Sequence, residues 1–367
     1  MSPRFALCVL VLTAAIPLYA ADEPQEIQKL PLKDWEPRPA LKVKQTVVEK
    51  PAFPVIDVHN HLRGVKDVAA MVATMDASGV RAVVHLDGGW GDDLKATLKK
   101  FDEAYPGRLL TYALLNYSGI DDADWGERSA KLLEEGFKAG AKGLKIHKSL
   151  GLTVRTKDGR VVPVDDPKLD ASWSMCGRYK RPVEIHVADP AAFFTPLDRY
   201  NERWHELNEH PNWLFADTSK FPKREVILEQ LRRVIERHPE TTFIGAHMGN
   251  NVEDLAAVGD WLDRYPNYYI DFDARISELG RQPYTSRRFF LKYQDRILFG
   301  TDTFPDVEAY RTYYRFLETD DEYWDCRRSH HLQGFWMIYG IFLPKDVLEK
   351  IYFRNAEKVL VGLKAAN

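Results

Sequence analysis

The sequence predicts an α/β chain that folds as a (β/α)8 TIM barrel, with an N-terminal arm and insertions after strands four and five. From Val55 onward, short apolar runs alternate with stretches in which apolar residues have helical spacing, the pattern of a parallel sheet covered by helices. Eight such runs are present, enough to close a barrel. Four of them end in a histidine or aspartate, and a parallel barrel brings the carboxyl ends of its strands to one face.

Length and composition agree with one large domain. A (β/α)8 barrel takes roughly 250 residues plus insertions, so a chain of 367 residues fits one barrel with extensions. Apolar residues make up 45% of the chain, which is enough for a large core. The formal net charge of -3 gives no broad basic surface, so we expect a small-molecule substrate and no nucleic-acid partner. Cys176 and Cys326 could pair, but two cysteines define no disulfide framework.

Two segments precede the barrel. Residues 1–20 carry Arg4 and then an uncharged apolar run that ends in small residues, which predicts a secretory signal peptide. Because this run is too short for a comfortable membrane span, we expect an exported, periplasmic protein without stable membrane insertion after leader cleavage. Residues 21–53 are rich in proline and lysine without a clear period and are predicted to form an arm. The barrel is predicted over residues 54–367.

The predicted strands are short apolar runs between helical stretches such as 65–78 and 129–139. A doubly wound open sheet is the alternative fold, but it offers no reason for candidate ligands at the ends of strands one, five, six and eight together. The eight predicted strands are 55–61, 81–86, 109–115, 141–147, 182–187, 242–247, 268–272 and 297–301.

The two long connections follow the fourth and fifth predicted strands. Residues 152–164 are predicted to form a hairpin that turns at Asp158-Gly159, a pair favoured in tight turns. Residues 193–215 form an aromatic and charged insertion. Since both follow the carboxyl end of a strand, they should overhang the catalytic face, either as substrate walls or as plain structural cover.

The first strand carries the central motif of the sequence. Asp57, His59 and His61 alternate along it, so their side chains are predicted to lie on one face, where two imidazoles can share a metal ion. A histidine pair of this kind is weak evidence alone. It gains weight because His186, His247 and Asp302 end later strands and should converge on the same face.

These residues together resemble the metal site of the amidohydrolase superfamily. The resemblance is to the branch that includes aminocarboxymuconate-semialdehyde decarboxylase and the amidohydrolase-related hydrolases. Residues 350–360 are also similar to the closing helix of that branch, and the resemblance covers about residues 54–362. It implies a metal-dependent enzyme, and because relatives are often dimers it also implies a homodimer.

The resemblance implies a role for each residue of the constellation. His59, His61, His186 and Asp302 would hold one divalent metal, with zinc favoured over manganese or iron. His247 matches a catalytic acid or base that contacts the metal-bound water, and Asp302 would also take a proton from that water. Asp57 is expected to orient a ligating histidine from behind, with a purely structural role as the alternative.

Cationic residues near the same face are expected to bind a polar or anionic substrate. Lys145 and His147 share a face of the fourth strand, while Arg275 and Arg281 follow the seventh. Some binuclear relatives carry a carbamylated lysine at the position of Lys145 that bridges two metals. In the decarboxylase-like branch the site holds one metal, and this lysine would bind substrate. We favour this one-metal interpretation.

Three functions remain open at this level. The first is hydrolysis of a lactone, ester or amide by metal-activated water, with His247 or Asp302 moving the proton. The second is non-oxidative decarboxylation of an unsaturated or aromatic carboxylic acid. The third is a non-catalytic exported binding protein, which the intact set of matched residues disfavours.

Overall fold

The computed structural model describes residues 29–31, 34–35, 38–326, 334 and 336–363. The chain divides into two units, Met1–Lys42 and Val43–Asn367, and the second unit contains the barrel. The predicted leader, residues 1–20, lies outside the described residues.

Eight parallel strands follow one another around the sheet in sequence order, which confirms the predicted (β/α)8 barrel. Two backbone hydrogen bonds join the first strand to the residues that directly follow the last one. The Val58 N–H donates to the Phe299 carbonyl at 2.9 Å, and the Asp302 N–H donates to the His59 carbonyl at 2.9 Å. The strands are β1 Val55–Asn60, β2 Val80–His85, β3 Leu109–Leu114, β4 Gly143–Ile146, β5 Val183–Ile185, β6 Phe243–Gly245, β7 Tyr268–Asp271 and β8 Ile297–Leu298.

Helices connect the strands, as the apolar spacing predicts. The first helix shows how local sequence sets their ends: the side chain of Asp67 accepts from the Ala70 N–H at its start, and Gly79 ends it in the left-handed conformation at φ 76°. The α-helices are α1 Val68–Ser78, α2 Gly91–Leu98, α3 Trp125–Ala139, α4 Asp170–Tyr179, α5 Trp204–Glu209, α6 Arg224–Arg237, α7 Ala246–Gly249, α8 Leu255–Arg264, α9 Ile276–Gly280, α10 Pro283–Lys292, α11 Val307–Glu318, α12 Lys345–Glu349 and α13 Asn355–Val359. Shorter 3-10 segments are Pro167–Leu169, Ala191–Phe194 and Pro211–Trp213, and π-helical turns are Lys99–Glu103 and Lys350–Arg354.

The insertion after β4 contains the predicted hairpin. Arg155 and Val161 form an antiparallel bridge, and the Thr156 N–H donates to the Arg160 carbonyl at 2.9 Å. The hairpin turns at Gly159, whose φ of 86° is strained for any residue with a Cβ. The insertion after β5 consists of two 3-10 segments and α5.

The segment just before β1 is hydrogen-bonded to the last residue of α11 and to the region that follows it. The Thr46 hydroxyl donates to Asp321 at 2.7 Å, and the Ala52 N–H donates to Glu318 at 3.0 Å. These contacts belong to the barrel unit, so at least this part of the predicted arm packs on the barrel.

The core is formed by the strands together with the inner faces of the helices. Every residue of β1 is buried, including the polar Asp57, His59 and Asn60. Cys176 and Cys326 are buried thiols that are not joined by a disulfide. Among the helices of the described residues, none is both long enough and apolar enough to cross a membrane.

Candidate functional site

The two histidines of β1 present the same ring nitrogen to one carboxylate. His59 Nε2 lies 3.7 Å from Oδ1 of Asp302, and His61 Nε2 lies 3.3 Å from the same atom. The other ring nitrogen of each is held from behind by an aspartate: His59 Nδ1 lies 3.0 Å from Asp271, and His61 Nδ1 lies 3.0 Å from Asp87. Metal-ligating histidines are typically oriented in this way, with the second nitrogen against a carboxylate.

His59 lies at the bottom of the site, fully buried among charged groups. Its Nδ1 is also 3.1 Å from Asp273 and 3.6 Å from Glu184, and its Nε2 is 3.1 Å from Nζ of Lys145. Burial holds the pKa of His59 well below its usual value even though Asp273 acts in the opposite direction. The imidazole is therefore neutral, the form in which histidine binds a metal.

His247 lies beside His59 and joins β6 to the site. The two rings are 5.1 Å apart, and His247 Nδ1 lies 2.9 Å from Asp273. Its Nε2 lies 3.0 Å from Nδ1 of His186, whose own Nε2 is 3.3 Å from Asp189. Burial, followed by the nearby His247, holds the pKa of His186 well below its usual value, so this ring is also neutral.

The chain leaves four neighbouring strands through left-handed residues other than glycine. Ala188 follows β5 at φ 61°, His247 and Met248 follow β6 at 57° and 60°, Ala274 follows β7 at 51°, and Asp302 follows β8 at 58°. Such residues cost of the order of 1 kcal/mol or more each and persist where the surrounding structure imposes them. In this protein they turn His247 and Asp302 towards the axis of the barrel.

A metal ion fits the group of side chains that meet here. One donor atom from each of His59, His247, Asp273 and Asp302 lies within 4.8 Å of all the others. Two imidazole nitrogens and two carboxylates form a donor set that suits zinc or manganese. The predicted ligands His61 and His186 are not in this group of four, but each contacts one of its members.

His147 lies at the edge of the site and shares Asp87 with His61. Its Nε2 is 3.4 Å from Asp87 Oδ1, and its ring stacks on that of His61 at 5.8 Å. Burial lowers the pKa of His147 although Asp87 opposes the shift. For His61 the balance is reversed, because hydrogen bonds to Asp302 and Asp87 overcome burial and raise its pKa to about 9.

Asp57 supports the backbone of the site rather than a histidine ring. It accepts from the His59 N–H at 3.1 Å, from the Thr301 hydroxyl at 2.6 Å and from the Tyr310 hydroxyl at 2.9 Å. Burial raises its pKa to about 7 against these hydrogen bonds. Asp57 thus ties the end of β1 to Thr301, the residue before Asp302.

A cavity of about 140 Å³ opens beside His186, His247 and Asp302. Arg275 lines it and is 6% exposed, with one guanidinium N–H donated to the Ala274 carbonyl at 2.8 Å. Within the described part of the chain, no carboxylate forms an ion pair with this arginine. A buried cation with that environment is suited to bind an anion.

The structure does not bring Arg281 to this cavity. Its guanidinium forms two hydrogen bonds of 2.8 Å with Glu202 and stacks over the ring of Trp336 at 4.0 Å. Arg281, which the sequence predicts to bind substrate, instead lies in a surface ion pair with Glu202.

Four carboxylates of the site were not singled out from the sequence. Asp271 and Asp273 alternate at the end of β7, Glu184 precedes His186 by two residues on β5, and Asp87 follows β2. Each ends a strand, follows one closely or shares a face with a residue that does, but a carboxylate in such a position is a weaker signal than a histidine pair.

Comparison with known proteins places this geometry in a family. The profile of the Amidohydrolase family matches residues 50–361. A comparison with curated proteins gives no significant match.

Solved structures of the same fold are similar over most of the chain. A 2,6-dihydroxybenzoate decarboxylase complexed with 2,6-dihydroxybenzoate is 17% identical with a TM-score of 0.53, covering 84% of this chain and 99% of that one. A dihydroxybenzoic acid decarboxylase from Polaromonas sp. JS666, with bound manganese and 2-nitroresorcinol, is 15% identical with a TM-score of 0.54, covering 84% and 96%. A 5-carboxyvanillate decarboxylase from Sphingomonas paucimobilis is 12% identical with a TM-score of 0.51, covering 84% and 99%.

The family profile spans nearly the whole barrel, including β1 with its paired histidines and the end of β8 with Asp302. The chain therefore belongs to the amidohydrolase family and is a metal-dependent enzyme of that superfamily.

Proposed function

We propose that this protein hydrolyses a lactone, ester or amide bond in a small polar or anionic substrate with the help of a divalent metal. One observation carries the proposal: Nε2 of His59 and Nε2 of His61 both face Oδ1 of Asp302, while aspartates hold both Nδ1 atoms. A metal bound there would supply Lewis acidity, which polarises a carbonyl and makes water acidic enough to attack it near neutral pH.

The residues around this position supply the proton transfers and the binding of substrate. Asp302 can accept a proton from the attacking water, and His247 can carry a proton to the leaving group because its Nε2 faces the neutral ring of His186 at 3.0 Å. Arg275, buried in the cavity wall, would hold an anionic group of the substrate, and Lys145 would contact its polar atoms near His59.

Non-oxidative decarboxylation of an unsaturated or aromatic carboxylic acid is the alternative. It is supported by the names of three solved structures with this fold, which are decarboxylases. It is also compatible with a buried arginine that can hold a second carboxylate. Release of carbon dioxide on turnover would select this reaction, whereas uptake of water without gas would select hydrolysis.

We propose one metal per chain, most suitably zinc. The alternative is a binuclear site in which carbamylated Lys145 bridges two metals, and the contact of its Nζ with His59 Nε2 is compatible with either arrangement. We further propose that the enzyme acts on its small-molecule substrate outside the cytoplasm, as a homodimer.

The first experiment is elemental analysis of the purified protein beside the double variant His59→Ala, His61→Ala. We expect about one equivalent of zinc in the native chain and near zero in the variant, because the variant loses two of the nitrogens that face Asp302. About two equivalents in the native protein would favour the binuclear site. No metal in either protein after supply of zinc would contradict the proposed function.

A further inference from the structure

Arg203 is a buried cation that neither of the reactions considered above uses. It lies in the insertion after β5, directly before α5. Its guanidinium donates to Glu206 at 2.7 Å and also to Glu278, and both carboxylates are buried as well. Because buried charges are costly unless they are paired, removing this one cation would leave two carboxylates uncompensated.

Arg203 connects the insertion to the helix that follows Arg275. Glu278 belongs to α9, which begins at Ile276, one residue after Arg275. The Leu279 N–H donates to the Arg275 carbonyl at 3.0 Å, so Arg275 is part of the first turn of this helix. Arg203 therefore reaches from the insertion to the element that holds Arg275.

Glu206, the other partner of Arg203, lines the same cavity as Arg275. Burial raises the pKa of Glu206, while Arg203 and then Arg275 act in the opposite direction. Glu206 is thus close enough to interact with both arginines. Its hydrogen bond goes to Arg203, and within the described residues no carboxylate forms an ion pair with Arg275.

The cavity is also lined by Lys148, Asp189 and Asp302. Nζ of Lys148 lies 2.7 Å from Asp189, so these two charges form a pair. Asp302 faces the two histidines of β1 at the position proposed for the metal. Whether Arg275 presents its charge to the cavity therefore depends on its remaining acidic neighbour, Glu206.

The guanidinium of Arg203 is fixed in its orientation towards Glu206. Its Cζ lies over the ring of Trp336, 5.6 Å from the ring centre. Its Nη2 donates to Glu278, which also accepts from the Ser277 hydroxyl at 2.7 Å. With one face against a ring and one edge against Glu278, the guanidinium directs its Nη1 to Glu206.

We propose that Arg203 is a positioning residue, which binds Glu206 and so keeps the guanidinium of Arg275 available for an anionic group of the substrate. Without Arg203, the buried carboxylate of Glu206 would pair with the other nearby cation, Arg275, and neutralise it. The inference rests on the proposed function, because it takes Arg275 as the residue that binds the anionic group. Arg203 does not line the cavity and acts through Glu206.

The test uses sulfate as the probe, because its binding needs no turnover. The dissociation constant of sulfate for the full chain is measured by isothermal titration calorimetry at fixed ionic strength. Arg275→Gln should weaken sulfate by about tenfold or more, which locates the probe. Arg203→Met should weaken it to a similar extent. Arg203→Lys should give an intermediate value, because it keeps the charge but loses the forked geometry.

The decisive measurement adds Glu206→Gln. In the Arg203→Met background it should restore the affinity for sulfate to within about threefold of native, because it removes the carboxylate that would neutralise Arg275. In the native background it should change the affinity by less than about threefold, because Arg203 already binds this carboxylate. If Arg203 only supported the fold, removing a second charged group would not reverse its loss.

Glu202→Gln is the matched control. Glu202 precedes Arg203 in the same insertion, but it pairs with Arg281 at the surface and does not line the cavity. Glu202→Gln should therefore leave sulfate binding unchanged in the native background and should not restore it in the Arg203→Met background.

Three results would overturn the proposal: no rescue of Arg203→Met by Glu206→Gln, sulfate binding that Arg275→Gln does not weaken, or no sulfate binding by the native protein. If Arg203→Met does not fold, Glu206→Gln alone decides, since a gain of about tenfold would show that Glu206 competes for Arg275 even with Arg203 present. Metal content is measured separately. Failure of this inference is thus distinguishable from failure of the metal-dependent reaction.

Discussion

At the scale of single residues, Asp87 contacts two histidines of the site at once. One of its oxygens lies 3.0 Å from Nδ1 of His61, and the other lies 3.4 Å from Nε2 of His147. Burial alone would raise the pKa of this carboxyl, but its hydrogen bonds to the two histidines hold the pKa well below its usual range. Asp87 therefore stays ionised and fixes the direction in which His61 points.

We predict that Asp87→Ala weakens metal binding about tenfold to a hundredfold, the usual effect of removing a carboxylate behind a ligating histidine. Affinity is measured by competition with a chelator of known strength. Asp92→Ala is the control, because Asp92 is a surface aspartate of α2 that pairs with Lys95. Equal metal affinity in the native and Asp87→Ala proteins would show that His61 is held without it.

The sequence predicts some of the site residues and misses others for a physical reason. His59 and His61 are recognisable because an apolar run ends in two alternating imidazoles. Asp271 and Asp273 have the same spacing, but aspartates are so common after strands that the pattern carries little information without the fold. The position of Arg281 depends on the direction of α9, which no local pattern specifies.

At the scale of elements, β2 holds the turn that follows β1 through its last residue. Nδ1 of His85 accepts from the Leu62 N–H at 3.1 Å, and the ring packs edge-on against Phe101 at 5.1 Å. Burial is the main cause that lowers the pKa of His85 from 6.5 to about 4. The neutral ring is thus part of the connection between β1 and β2.

This pKa predicts a loss of stability in acid. Above pH 6.5 His85 is neutral in both states, but between pH 6.5 and pH 4 the unfolded chain binds a proton that the folded chain does not. The contribution of His85 to the free energy of unfolding should therefore fall by on the order of 2 to 3 kcal/mol across this window. The measurement is denaturant unfolding at several pH values.

The control for this prediction is His85→Asn, in which the amide oxygen can still accept from Leu62 but cannot titrate. As the pH falls, the native protein should lose more unfolding free energy than the variant does. A difference that is constant from pH 6.5 to pH 4 would show that His85 does not titrate in this way.

The sequence predicts where the eight strands lie, but it does not predict where each strand ends. The apolar runs mark all eight strands, but the predicted strand 141–147 is observed as Gly143–Ile146, and 297–301 is observed as Ile297–Leu298. The chain leaves the sheet early because the residues that follow must turn towards the site. That turn is imposed by packing across the barrel, so it leaves little trace in local sequence.

At the scale of the whole molecule, the reactivity and the number of the thiols test both the fold and the removal of the leader. Cys176 and Cys326 are buried, and burial raises the pKa of both thiols, so they should react slowly in the native protein. The third cysteine of the chain, Cys8, lies in the predicted leader.

We predict that a thiol reagent finds almost no reactive cysteine in the native protein and two in denaturant, if the leader is removed. Three would show that the leader is retained. Fewer than two in denaturant without reductant would contradict the reduced state of Cys176 and Cys326. The signal peptide and export remain predictions until such a count, or the N-terminal sequence of the purified protein, is known.

Left-handed residues other than glycine follow each of the strands β5, β6, β7 and β8. At these positions, selection for stability and selection for catalysis oppose each other. Glycine or asparagine would relieve the backbone at His247 and Asp302, yet neither can replace an imidazole or a carboxylate. Selection for thermal tolerance alone would erode these two positions, whereas selection for turnover would preserve them. Ala188 and Ala274 bear the same conformation without a polar side chain. Engineering for stability therefore has its safest starting points there, two residues after His186 and one residue after Asp273.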